Sequence, residues 1–185
     1  MRWFMGFGVL VLTMVLSQPA FAEDSTDETS PYSSVFSFSP AHLSLPVVEV
    51  AFEQRFNRDV SLTAIVGIGQ VTNILHTASV YEVGCQLRFY ALDDFAGLHF
   101  GFEAVFLGIS MDDGATVEVA GQGLALGPLV GWKFVLDSGL TFDLQGGYGL
   151  VVMAAHGEDT ATGETASEGQ SEGVPLVNIN VGWSF

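Results

Sequence analysis

From Ser33 to the end of the chain, apolar and polar residues alternate with a period of two, in eight segments separated by turn chemistry. The last is the cleanest. In Val174 to Phe185, the residues Val177, Ile179, Val181, Trp183 and Phe185 fall on one face, and Asn178, Asn180, Gly182 and Ser184 on the other. In Leu140 to Met153, Leu140, Phe142, Leu144, Tyr148, Leu150 and Val152 oppose Thr141, Asp143, Gln145, Gly147 and Gly149. In Gly123 to Leu136, an apolar face runs from Leu124 to Leu136 and Lys133 shares the other with Gly127 and Gly131. Leu98 to Ser110 sets Leu98, Phe100, Phe102, Ala104 and Phe106 against His99, Gly101 and Glu103, although Val105 and Leu107 blur its far end. Val80 to Tyr90, Val60 to Val71 and Val47 to Phe56 repeat the pattern, and Ser33 to Ser39 is a short first candidate.

The connections add a second periodicity. Asn57 to Asp59, Asp93 to Gly97 and Asp137 to Gly139 read as tight turns, whereas Thr72 to Ser79, Met111 to Gln122 and Ala154 to Gly173 read as long loops. Short and long connections alternate, the layout of a transmembrane barrel with turns on one side of a membrane and loops on the other. The expected fold is all-β: an eight-stranded antiparallel up-and-down transmembrane β-barrel over residues 33–185.

A soluble barrel also alternates, so the sense of the alternation has to come from the polar face. That face holds Glu49, Glu53, Arg55, Glu82, Arg88, His99, Glu103, Lys133 and Asp143, with glycines between them. Apart from Arg2, the basic residues are Arg55, Arg58, Arg88 and Lys133, and three of those four are in this set. Their concentration on one face predicts an interior network in which each cation answers several carboxylates, with the apolar face turned to lipid. Phe56, Phe89, Phe100, Phe134, Phe142, Trp183 and Phe185 cluster near the tight turns as an interfacial girdle would.

Composition narrows the class. The chain is 49% hydrophobic, yet beyond residue 22 no apolar run approaches the length of a membrane helix. Arg2, the apolar run Trp3 to Leu16 and the small-residue pattern Ala20-Phe21-Ala22 predict a secretory signal over residues 1–22, rather than an anchor, because no basic stop-transfer cluster follows. Residues 23–32 are acidic and Ser/Thr-rich and read as a disordered lead-in. The formal net charge of −16 argues against a nucleic-acid partner. Cys85 is the single cysteine, so an intrachain disulfide is excluded.

With these features the chain resembles small outer-membrane β-barrel proteins of the OmpA and OmpX type. The resemblance implies export to the outer membrane of a Gram-negative bacterium, contact with its lipids and lipopolysaccharide, and a closing strand Val177, Ile179, Val181, Trp183, Phe185 read by the barrel insertion machinery. Because the sequence stops at Phe185, no peptidoglycan-binding domain is implied.

The expected role is structural or surface-interacting, with a plugged, charged lumen and external loops as the binding surface. A lipid-modifying enzyme, a narrow ion channel and a soluble lipocalin-like barrel are the alternatives. Some barrels of the resembled class act on lipid A, but here only His42-x-Ser44 places a base and a hydroxyl at same-face spacing, in the expected first loop. No catalytic residue, metal site or cofactor is assigned. One imidazole and one carboxylate, His99 and Glu103, do not make a metal site. The acidic loops, with Asp112, Asp113, Glu118, Glu158, Asp159, Glu164, Glu168 and Glu172, can collect divalent cations bridging to lipopolysaccharide phosphates. Their spacing matches no defined calcium loop, and solvated repulsive loops are the plainer reading.

Overall fold

The computed structural model describes residues 31–39, 47–72, 77–91, 95–112, 117–159 and 165–185. The expected signal at 1–22, most of the acidic lead-in, and His42, Ser44, His76, Asp113 and Glu164 lie outside them. Eight strands, β1 (Ser34–Ser39), β2 (Val47–Arg55), β3 (Val60–Thr72), β4 (Thr77–Tyr90), β5 (Gly97–Asp112), β6 (Val117–Val135), β7 (Leu140–Asp159) and β8 (Thr165–Ser184), pair antiparallel in sequence order. β1 closes on β8 to complete a barrel. Phe185 locks the seam: its N–H donates to the Ser34 carbonyl at 2.9 Å and its carbonyl accepts from the N–H groups of Ser33 and Ser34.

The register sets the shape. One circuit runs from Trp183 through Phe36, Phe52, Ala64, Cys85, Ala104, Leu126 and Leu150 and comes back to β8 at Gly173, a stagger of ten residues. With ordinary strand spacings this stagger tilts the strands by about 41° from the barrel axis. The β6–β7 ladder passes from Leu126↔Leu150 directly to Leu129↔Gly147. Pairing lapses there at Pro128, which has no N–H to give.

The tight turns have local causes. Asn57 Oδ1 accepts from the backbone N–H groups of Asp59 (3.0 Å) and Val60 (2.9 Å), fixing the β2–β3 turn. Gly139, at φ +88°, takes the left-handed position of the β6–β7 turn. Between β4 and β5 that region is held by Gly97 and, against preference, by Phe95 at φ +64°.

Two sequence expectations are corrected. Thr72 to Ser79, Met111 to Gln122 and Ala154 to Gly173 are not long loops, since β4 begins at Thr77, β6 begins at Val117, β7 runs to Asp159 and β8 starts at Thr165. The acidic residues Glu118, Glu158, Asp159, Glu168 and Glu172 therefore sit on strands that project beyond the apolar zone. The hairpins continue because backbone pairing needs no side-chain alternation. The lead-in also ends earlier than residue 32. Tyr32 packs against Val35, Tyr90 and Phe95, and its hydroxyl donates to the Asp137 carbonyl at 2.9 Å.

The alternation resolves with its apolar face outward. Ile68, Phe100, Leu144, Ile179 and Trp183 are about half exposed or more, while Glu49, Glu53, Glu82, Glu103, Asp143, Arg88 and Lys133 are buried inside.

Candidate functional site

The barrel interior near the tight turns is built around Glu53. Its Oε1 accepts from the Ser61 hydroxyl and the Tyr90 hydroxyl, each at 2.5 Å. Its Oε2 accepts from Arg88 Nη1 at 2.8 Å and from Lys133 Nζ at 2.5 Å. Arg88 Nη1 also donates to Asp143 Oδ2 at 2.9 Å, and its Nε to Gln86 Oε1 at 2.9 Å. One inward side chain from each of several strands converges on the axis, so Glu53 and Arg88 tie β2, β3, β4, β6 and β7 together across the lumen. The pairs are 1–5% exposed. At that depth breaking a pair is far more costly than at a surface.

Next toward the long hairpins lies a layer of amides and carboxylates. Gln86 Nε2 donates to Glu103 Oε2 and to Gln145 Oε1, and Gln145 Nε2 to Asp143 Oδ2 at 2.6 Å. Asn178 Nδ2 reaches Glu49 Oε1 at 3.2 Å. Among the described residues, Thr63 Oγ1, Asp143 Oδ1, Asn178 Oδ1, Asn180 Oδ1 and both His99 ring nitrogens are buried without a hydrogen-bond partner. Such atoms are where ordered water completes a polar interior. His99 Nε2 stands 3.6 Å from Asp143 Oδ1, and its ring lies against Tyr90. Among the described residues no Ser hydroxyl is hydrogen-bonded to its ring.

The mouth at the tight turns is closed by an aromatic that sequence reasoning missed. Phe95, fully buried, folds from the β4–β5 turn into the lumen and packs with Tyr90, ring centroids 5.7 Å apart. Lys133 Nζ stands 4.0 Å from the Phe95 ring centroid and 4.8 Å from that of Tyr90, and the Arg55 guanidinium lies 5.7 Å from Phe95. The turn residues gave no sign of this, because a lone Phe in a turn carries no periodicity.

All nine charged residues singled out from the alternation lie on the inward face. Eight are buried, and Arg55 is half-buried at the tight-turn mouth. Glu53, Arg88, Lys133 and Asp143 meet directly, with His99 alongside. Glu49 and Glu103 belong to the amide layer, and Glu82 sits beneath Gly67, where a Cβ would collide with its carboxyl group. His99 and Glu103 do not converge as a pair: His99 faces Asp143, and Glu103 faces Gln86. Val177, Ile179, Val181, Trp183 and Phe185 are all outward and exposed. Among the described residues no group of three His, Cys, Asp or Glu side chains is placed to hold a metal.

No protein-family model, curated protein or solved structure matches this chain. On the architecture the conclusion is plain: the chain is a closed, eight-stranded, antiparallel, up-and-down β-barrel with a charged interior.

Proposed function

We propose that this is an outer-membrane β-barrel of the OmpA and OmpX kind, with a structural or surface-interaction role and a lumen closed to solutes. The observation that carries the reading is the inversion of the side-chain distribution: ion pairs and amides inside, large apolar side chains outside. In water this arrangement would expose a continuous apolar wall, far beyond the patches soluble proteins carry. The wall has the right height. Leu124 to Leu136 spans about twelve steps of roughly 3.4 Å, which at a tilt of about 41° rises roughly 31 Å, close to a hydrocarbon core. Trp132, Phe134, Phe142, Trp183 and Phe185 gather at the tight-turn edge, and Tyr81 and Tyr148 supply the opposite one.

The role follows from what the lumen does. An eight-stranded barrel has an interior just wide enough for side chains or one small ligand, and at the tight-turn end Phe95, Tyr90 and the Glu53 hub fill it. The tight turns then face the periplasm and the projecting hairpins of β5 to β8 face outward, carrying Glu118, Glu158, Asp159, Glu168 and Glu172 as the surface offered to lipopolysaccharide, with divalent cations as bridges. Membrane fractionation combined with heat-modifiable migration on gel electrophoresis tests the reading. The protein is expected in the outer-membrane fraction, faster-running when unboiled. Recovery in the soluble fraction without a mobility shift refutes it in favour of a soluble barrel.

A further inference from the structure

Toward the long hairpins the interior changes character. Val80, Leu107, Ile109, Val151, Met153 and Val174, all inward positions, line a cavity of about 230 Å³ with Gln170 and Glu172 at its rim. Its floor is a buried apolar cluster of Val105, Leu107, Ala125 and Leu176. Gly149 makes room for that floor, since a Cβ there would stand 3.2 Å from Leu176 Cδ2. Both Gln170 and Glu172 are exposed, so the cavity opens outward.

We propose that this cavity holds the alkyl chain of a single-chain amphiphile whose head group is not anionic. An interior mouth in contact with water has no structural need of apolar walls. Elsewhere the inward face is mostly polar, whereas here six apolar side chains converge. Ligand sites pair an apolar lining with a few polar groups. Scaled from the roughly 150 Å³ cavity that takes the six carbons of benzene, the volume suits a chain of about eight to nine carbons. The rim selects the head: Glu172 sits at the opening of a chain with formal net charge −16, which disfavours an anionic head and attracts a cationic one. Position supplies the route. The opening at Gln170 and Glu172 lies toward the projecting hairpins, the end that the outer-membrane reading puts at the membrane surface, where an amphiphile meets it. The proposal rests on the outer-membrane reading above.

The test uses the full chain in zwitterionic lipid nanodiscs with 13C-methyl methionine, the Met153 signal being assigned by its loss in Met153→Leu. Octyltrimethylammonium is titrated beside octanol and octanoate. The Met153 methyl is expected to shift and saturate with the cation, with octanoate at least about ten-fold weaker and octanol between them. Hexyltrimethylammonium should bind about fifteen-fold more weakly than the octyl compound, about four-fold for each methylene, and lengthening to dodecyl should add little once the cavity is full. Val151→Trp should abolish the shift while heat-modifiable migration persists. Ile109→Phe serves the same purpose if the tryptophan variant does not fold. An unmoved Met153 methyl, an affinity that climbs steadily to dodecyl as bilayer partition does, or a shift retained in the filled variants overturns the proposal, and octanoate binding as tightly as the cation overturns the head-group assignment. A chain that never enters the discs overturns the membrane reading and this site with it. A chain that enters and stays silent overturns the site alone.

Discussion

Glu53→Gln is the sharpest test of the interior. The substitution keeps the side-chain volume but removes the charge that faces Arg88 at 2.8 Å and Lys133 at 2.5 Å. Arg88 keeps Asp143 and Gln86, while Lys133 loses its direct carboxylate contact and is left against the Phe95 and Tyr90 rings. Because the side chains are 1–4% exposed, solvent does not screen the loss. Breaking a buried ion pair by removing one partner costs about 3–5 kcal/mol. At an m-value of about 2 kcal/mol/M this lowers the urea midpoint by roughly 2 M. The assay is reversible unfolding in lipid vesicles, followed by tryptophan fluorescence and by loss of the fast-migrating gel band. Glu53→Gln combined with Lys133→Met, which removes the stranded cation as well, should be more stable than Glu53→Gln alone, because replacing both partners of a buried pair by neutral groups is far less costly than removing one. A single-variant loss below about 1 kcal/mol, or a double variant that is merely additive, refutes the view of Glu53 as the hub.

Phe95 sets two opposed terms against each other. Truncation of a buried Phe costs about 3–5 kcal/mol, while glycine relieves roughly 1–2 kcal/mol of left-handed strain, so Phe95→Gly should unfold at higher urea than Phe95→Ala; the reverse order refutes the strain argument. On the outer wall, Val130→Arg should cost about 2–4 kcal/mol in vesicles and Leu136→Arg, at the tight-turn edge, no more than about 1 kcal/mol. Equal costs would show that Val130 does not face the middle of a bilayer. In planar bilayers the protein should carry no sustained current, and steady unitary steps would refute a lumen sealed by Phe95 and the Glu53 hub.

The strand pattern was legible because each strand has one apolar and one polar face, and Val177 to Phe185 records both directly. The inward destination of Glu53, Arg88, Lys133 and Asp143 could be argued from the same pattern, since scarce cations on one face imply carboxylates to meet them. In the polar hairpins of β6, β7 and β8 hydropathy no longer marks a strand, and Gly157, Ser167 and Gly169 read as loop although their backbones pair. Val105 and Leu107 were visible only as a lapse in alternation. They are inward residues like Glu103, and the lapse marks where the interior turns from polar to apolar.

The sequence by itself determined the order of the strands and the two faces of each alternating segment, because these depend on residues close together along the chain. The tertiary structure alone decided which inward residues meet. That Glu53 of β2 reaches Lys133 of β6 and Arg88 reaches Asp143 of β7 depends on the ten-residue stagger accumulated around the closed barrel, to which every pair of strands contributes. Phe95 in the lumen, and six apolar residues of β4, β5, β7 and β8 around one cavity, have the same origin. Alternation along a strand assigns each side chain to a face, and only closure brings the inward faces together.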